Sequence, residues 1–401
     1  MALPNTIVNK TVFANKVQGN LYNNLVMAPL CDPQFDPQIH PGKTINFPWV
    51  NKGQARAYTF STNPSGGIAK RTFTADTYDI DQVYETDCNF DEFQNQQAHA
   101  DDIESEVIRD LSETLAERID QFAIQKGVSG ANRTVAGGTI TTSNALEIIG
   151  QGSSYISAAG NRGMKQRCML VDPFWKELLA QRQYSGFFTK ADEALSAGVP
   201  VNSTGYIGER AGVSLYETNN LPHSVVHTIV TIPTAGNSFS YYGVTFTWTA
   251  SGAATNPGDI SIGASAAAAQ ANFVLAINGT GTPGPTTYIE LSDENRNILK
   301  GRQIAATSFS SNASTVTGYG DMSPTITTTP ADNTIGTETA STIIFERAAV
   351  SLTMQQRIKI KMATEPQNFS DNWLAGAMYG GGVWYRMKPR VTKVTFNAIT
   401  F

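Results

Sequence analysis

Charge, cysteine and histidine are all scarce in this chain of 401 residues. Charged side chains make up 16% of it, against ~25% in an average soluble domain. The polar bulk comes from Ser, Thr, Asn and Gly instead, which favours β-structure and packed polar surfaces over a solvated helical bundle. The formal charge is −5, and no basic run exceeds a pair such as Lys70-Arg71. Without a basic tail or stripe, tight electrostatic binding of nucleic acid is excluded. The three cysteines, Cys31, Cys88 and Cys168, stand far apart with no CxxC pair, so a zinc site is unsupported and reduced thiols are expected. No apolar run is long enough to span a bilayer and no basic-apolar signal opens the chain, which points to a protein made in the cytoplasm and soluble when made.

Catalytic signatures are also missing. There is no GxSxG elbow and no GxxxxGK[ST] loop. Of the four histidines (His40, His99, His223, His227), the last two are four apart, but Pro222 and the β-branched residues around them argue against a helix that would align them for a metal. They are expected as ordinary surface or interface histidines. Asp32 and Asp36 sit in a Pro-rich stretch, and Asp101 and Asp102 at a helix start, where the helix dipole accounts for them. Gly318-Tyr319-Gly320 and Gly380-Gly381-Gly382 suit turns or close packing, and Trp373, Trp384 and Tyr385, without basic neighbours set in a groove, suit core or interface packing over base stacking. No catalytic, cofactor-binding or metal-binding residues are therefore assigned.

What the chain does contain is a definite order of elements. Residues 1–45 are an arm broken by Pro33, Pro37 and Pro41, with little core of its own. Thr44-Ile45-Asn46-Phe47 and Arg71-Thr72-Phe73-Thr74 alternate as strands around an Asn63-Pro64-Ser65-Gly66-Gly67 turn, a long hairpin that needs a partner. Over 94–127, Ile103, Val107, Leu111, Leu115, Ile119 and Phe122 form one apolar stripe of a long helix, with Gly127 and Gly130 ending it. A weaker helix over 144–159 is interrupted by Gly150 and Gly152. Cys168-Met169-Leu170-Val171 reads as a buried strand, and Asp172-Pro173 as the cap and first position of the next helix. Strands follow at Tyr206-Ile207-Gly208 and from Val213 to Thr218. Composition then shifts: 10 of the 119 residues in 224–342 are charged, against 53 of the other 282. This stretch reads as an inserted β-rich domain with strands at 243–249 and 287–291 and one Ala-rich helix at 264–277. Apolar alternation returns over 342–353, and a final strand follows Lys388-Pro389-Arg390.

This order resembles the major capsid protein of tailed bacteriophages, the Johnson (HK-97-type) fold, an α+β architecture. The pieces that carry the resemblance are Leu115-Ala116-Glu117-Arg118-Ile119-Asp120, the unit from Met169 to Leu179, and Tyr206-Ile207-Gly208 leading to Leu221-Pro222. The resemblance implies an N-terminal arm (1–45), an E-loop hairpin (46–92), a P-domain with the spine helix (93–160) and a first A-domain part (161–223). It continues with the insertion (224–340), an A-domain return (341–362) and C-terminal P-domain strands (363–401). It further implies pentamers and hexamers closing an icosahedral shell around double-stranded DNA. The expected partners are scaffolding, portal and cement proteins, with weak non-specific DNA contact and no membrane. The expected location is the virion capsid, assembled in the host cytoplasm. Some relatives cross-link through an E-loop lysine, which makes Lys70 the residue to watch, although a solvated or ion-paired lysine is the simpler expectation. An encapsulin-like compartment shell and a glycan-binding tail or adhesin protein are the alternatives.

Overall fold

The computed structural model describes residues 25–33, 44–50, 73–91, 100–159, 166–184, 206–310, 312–327, 332–365 and 370–398. The fold is α+β. Its first part runs β1 (Thr44–Val50), β2 (Phe73–Asp79), β3 (Gln82–Asp91), α1 (Ala100–Gly130), β4 (Arg133–Thr139), α2 (Ala145–Ala158), β5 (Arg167–Val171), α3 (Pro173–Tyr184), β6 (Tyr206–Arg210) and β7 (Val213–Glu217). Next come β8 (Pro222–Ile229), β9 (Ser238–Tyr241), β10 (Val244–Thr249), β11 (Asp259–Ser261), α4 (Ala266–Asn278), α5 (Asp293–Gly301), β12 (Ala305–Ser310), β13 (Ala313–Tyr319), β14 (Thr325–Ile326) and β15 (Asn333–Ile335). The chain then returns through β16 (Thr339–Glu346), β17 (Ser351–Glu365), β18 (Ser370–Gly382) and β19 (Val391–Asn397).

Helix α1 has 31 residues, about 47 Å at 1.5 Å each. Leu111, Leu115 and Ile119 are buried at the spacing of four read from the sequence, each contributing roughly 1.5–3 kcal/mol of burial. Gly127 does not end this helix. A Cβ there would lie 2.6 Å from Cδ1 of Ile343 on β16, so the glycine lets helix and sheet approach. Gly152 has the same role in α2, where a Cβ would collide with Cδ1 of Ile344, and α2 runs through both Gly150 and Gly152 unbroken. In each case local propensity suggests a break, and close packing against β16 explains the glycine. Asp172 caps α3 as its sequence suggests, its Oδ1 accepting from Phe174 N–H at 2.9 Å.

The large sheet runs β12-β13-β8-β16-β5-β7-β6, with β19 on β16, β4 on β19 and β15 on β8. β16 is its hub. It pairs with β8 at Thr339–Ser224 and Ala340–His223, with β5 at 344–346, and with β19 along 339–345. The apolar stretch over 342–353 is two strands, because the chain turns between β16 and β17, with Ala348 at φ 66°. β17 and β18 form a long hairpin joined by β3.

Two hydrophobic clusters divide the molecule. One gathers α1, α2, β5, β7, β16 and β19 together with Leu25, Met27, Leu30 and Cys31. The second lies wholly within 225–335, around Phe239, Phe246, Trp248 and Phe273. The Ala-rich helix in it is α4, capped by the Ser265 side chain and closed by Gly279 at φ 61°. Two local expectations differ here. Residues 287–291 make a single bridge, Ile260–Tyr288, and no strand, because the Gly284 turn at their start and the Ser292 cap at their end leave too little extended chain. α5 is a second helix that apolar periodicity missed, since of its nine residues only Arg296 and Leu299 are buried.

Candidate functional site

For a chain that lacks a catalytic constellation, the informative sites are those that hold its projecting parts. The first is a clasp on the arm. Ala116, Asp120, Ala123 and Gly127 fall on one stripe of α1 at spacings of four, three and four, so an aspartate sits where small buried residues flank it. Its carboxylate accepts three successive backbone N–H groups, from Val26 (2.6 Å), Met27 (3.2 Å) and Ala28 (3.2 Å). Burial pushes the Asp120 carboxyl up to about 6, with those three N–H bonds pulling it part of the way back. Below the clasp, Asp32 N–H bonds to Val350 O, and Asp32 bridges Ser351. This stretch of arm thus docks on its own subunit. Cys31 beside it is a buried free thiol, raised by burial and by Asp120 and Asp32.

The second site roots the hairpin. β1 and β2 pair antiparallel from Thr44–Asp79 to Val50–Phe73; the turn at 63–67 and Lys70 lie outside the described residues. Trp384 packs on Phe47 and Tyr78, with ring centroids at 5.1 and 4.6 Å, and Tyr385 stacks on Trp49 at 4.8 Å. Arg386 covers the Trp49 ring, and Tyr385 N–H bonds Asp76 Oδ2 at 2.6 Å. These aromatics therefore pack the hairpin base. Gly380 and Gly381 serve the same junction: Cβ atoms there would lie 2.5 Å from Asp79 O and from Ser351 O.

The third site is the neck of the insertion, and here the histidine expectation is corrected. His223 and His227 are 3% and 1% exposed, core residues and not surface ones. Alternation along β8 turns both inward. His223 Nδ1 lies 2.5 Å from Glu338 Oε1 and its Nε2 lies 3.9 Å from Asp172 Oδ2. Glu338 also accepts from Met322 N–H at 3.0 Å. Burial pushes Asp172 up against the pull of Phe174 N–H and His223. His227 bonds Tyr241 Oη and Asn333 Oδ1, both at 2.9 Å, and burial holds it down at about 4. Among the described residues no group of three His, Cys, Asp or Glu is placed to hold a metal. The insertion also leans on α1 through polar contacts: Arg118 donates to Lys300 O, and Gln303 to Gln121 Oε1. Between them lies a cleft of about 380 Å³, bordered by Gln125, Val128, Ser224, Thr317, Ser341 and Lys393. No helix among the described residues is long and apolar enough to cross a membrane.

Of the remaining sequence candidates, His40, His99 and Asp36 lie outside the described residues, as do the side chains of Asp101, Asp102, Cys88 and Trp373. Sequence reasoning read Asp172 as a helix cap but not as a neighbour of His223, and it missed the roles of Asp120 and Glu338. Asp120 had a signal, a charge on a stripe of Ala and Gly; Glu338 had none, because its partner lies 115 positions away.

No family model matches the sequence, and no curated protein matches it. Solved structures do. The fold is similar to one titled Mycobacterium phage Che8, at TM-score 0.50 and 13% identity, over 93% of this chain and 91% of that one. The capsid structure of the cyanophage P-SCSP1u follows at TM-score 0.47, with 12% identity over 90% and 85% of the two chains. The acidic stable capsid structure of Helicobacter pylori bacteriophage KHP30 gives 0.46, with 7% identity over 94% and 91%. The chain thus shares, over nearly its whole length, the α+β fold of a chain solved from a bacteriophage.

Proposed function

We propose that this chain is a structural subunit of a closed capsid shell of the tailed-phage coat type, assembling as pentamers and hexamers around packaged double-stranded DNA. The observation that carries this is the shared fold, which spans 93% of the chain in the order arm, hairpin, spine helix and sheet. The surfaces support it. The β1–β2 ribbon leaves Phe73 78% exposed, and Val83 beyond its base is 61% exposed. A two-stranded ribbon is marginal in water, so such side chains find cover on neighbouring subunits. The same proposal divides the chain at 45, 92, 160, 223, 340 and 362, as the resemblance implies. The separate core within 225–335 suits an inserted domain. Scaffolding, portal and cement partners belong to this function, and the net charge of −5 suits a container that confines DNA without gripping it. The role is structural and not enzymatic, in the virion capsid after assembly in the host cytoplasm.

Sedimentation and negative-stain microscopy of the expressed protein, alone and with its scaffold, test this. Closed particles of uniform size are expected. Monomers and dimers under both conditions would remove the proposal, and particles that close unaided around protein cargo would favour the compartment-shell alternative.

A further inference from the structure

The insertion has its own core, so its attachment to the rest of the chain is decided at the neck. Two strands make that neck, β8 on the way in and the segment into β16 on the way out, paired at Thr339–Ser224 and Ala340–His223. A buried cluster joins four places in the chain there. His223 lies near the start of β8, Glu338 precedes β16, Met322 follows β13, and Asp172 caps α3 beside the first core. Each ring nitrogen of His223 faces a carboxylate, Nδ1 that of Glu338 at 2.5 Å and Nε2 that of Asp172 at 3.9 Å. The first contact is a hydrogen bond. Across the second gap none is made, and buried Nε2 and Glu338 Oε2 have no other partner. A neutral imidazole has one N–H. With that hydrogen given to Glu338, Nε2 turns a lone pair toward a carboxylate oxygen. One more proton, on the ring or on Asp172, turns this repulsion into an attraction.

We infer that the cluster is a proton-dependent pin: the proton between His223 and Asp172 fastens the neck of the insertion to the cap of α3, and its release loosens the neck. The surroundings set the sign. Burial, with Asp321 and Glu338 adding negative charge, holds the Asp172 carboxyl above its ordinary value. A raised acid contributes its full stability below the unfolded value and loses it as pH rises through the folded one. Alkali therefore releases the pin. Tyr241 and Tyr242, pushed further up by burial and by Glu338, hold their protons throughout. The cations nearby are Arg302, which acts on Tyr242, and Lys393, which borders the cleft at His223. His227, further along β8, is held at about 4 and titrates in a lower range.

Hydrogen exchange of the unassembled subunit tests this, each neck amide's rate being divided by that of an unstructured peptide at the same pH. One proton changes an opening equilibrium by at most about tenfold per pH unit. Between about pH 6 and about pH 9, wild-type protection of 223–226 and 336–340 should fall at least about tenfold, while β10 inside the insertion keeps its own. Asp172→Asn supplies the hydrogen permanently, because its amide N–H can donate to the neutral ring while its carbonyl oxygen still caps α3. Neck protection in that variant should stay level over the range. His223→Gln should also be level, and lower throughout. If one variant melts early, the other decides. Wild-type protection that stays level, or that falls equally in the variants, overturns the inference. Since the subunit is unassembled, the shell function stands or falls separately.

Discussion

Asp120→Asn tests the clasp between arm and spine helix. The wild-type carboxyl is fully buried and sits at about 6 in the folded protein, raised from 3.8. A raised acid holds its proton in the folded state where the unfolded chain releases it. Its stabilising contribution is thus complete below pH 3.8 and is lost as pH rises through 6. A difference of 2.2 units corresponds to about 3 kcal/mol. Between pH 7.5 and 4.5 the wild type should gain about 2 kcal/mol from this group. Asparagine keeps the shape and cannot titrate, so the wild-type advantage over Asp120→Asn should grow by that amount on acidification. Urea unfolding of the unassembled subunit, followed by tryptophan fluorescence at both pH values, measures it, and every other titrating group cancels in the difference. A wild-type advantage that stays constant across the two pH values would refute the reasoning, because the carboxyl would then be hydrated. Limited proteolysis of the 25–33 segment adds a local readout. Asp120→Ala, which strips three buried N–H groups of their acceptor, should expose that segment at every pH.

His227 should work in the opposite sense. Its imidazole is held down at about 4 from 6.5, so the stability it confers is complete above pH 6.5 and is lost as pH falls toward 4, by about 3 kcal/mol in full. Hydrogen exchange of β8 should show the insertion loosening over that window, and His227→Gln should flatten the pH profile. Gly127→Ala should cost about 1–3 kcal/mol through the clash with Ile343 Cδ1, less about 1 kcal/mol of helix propensity; Ile343→Val, which removes that atom, should restore most of the melting temperature. The Asn278 side chain accepts from Ala306 N–H at 2.8 Å and donates to Ala306 O at 2.9 Å; Asn278→Ala reopens that edge of β12, and light scattering should show concentration-dependent association beyond shell formation.

Several elements were legible from local pattern alone. The stripe Leu111, Leu115, Ile119 needs only the helical period, and Asp172-Pro173 needs only capping chemistry. The charge deficit of 224–342 marked a stretch that carries its own core. Glycine misled at 127 and 152, because helix propensity is local and the demand those residues meet comes from β16, some 200 positions later. α5 escaped because a short helix with a single buried aliphatic residue has no stripe to read. His223 and His227 were taken for surface residues because one sequence shows neither Glu338 nor Asn333 closing on them.

What the sequence by itself determined is the composition, the order of elements and the absence of any familiar catalytic motif, all properties of neighbours along the chain. Only the tertiary structure decided that Asp120 receives the arm and that a His–carboxylate cluster sits at the neck of the insertion. Each depends on residues brought together from roughly a hundred positions apart, 92 to 94 for Asp120 and the arm and 115 for His223 and Glu338, and such contacts are set by the packing of the two cores and not by any local preference.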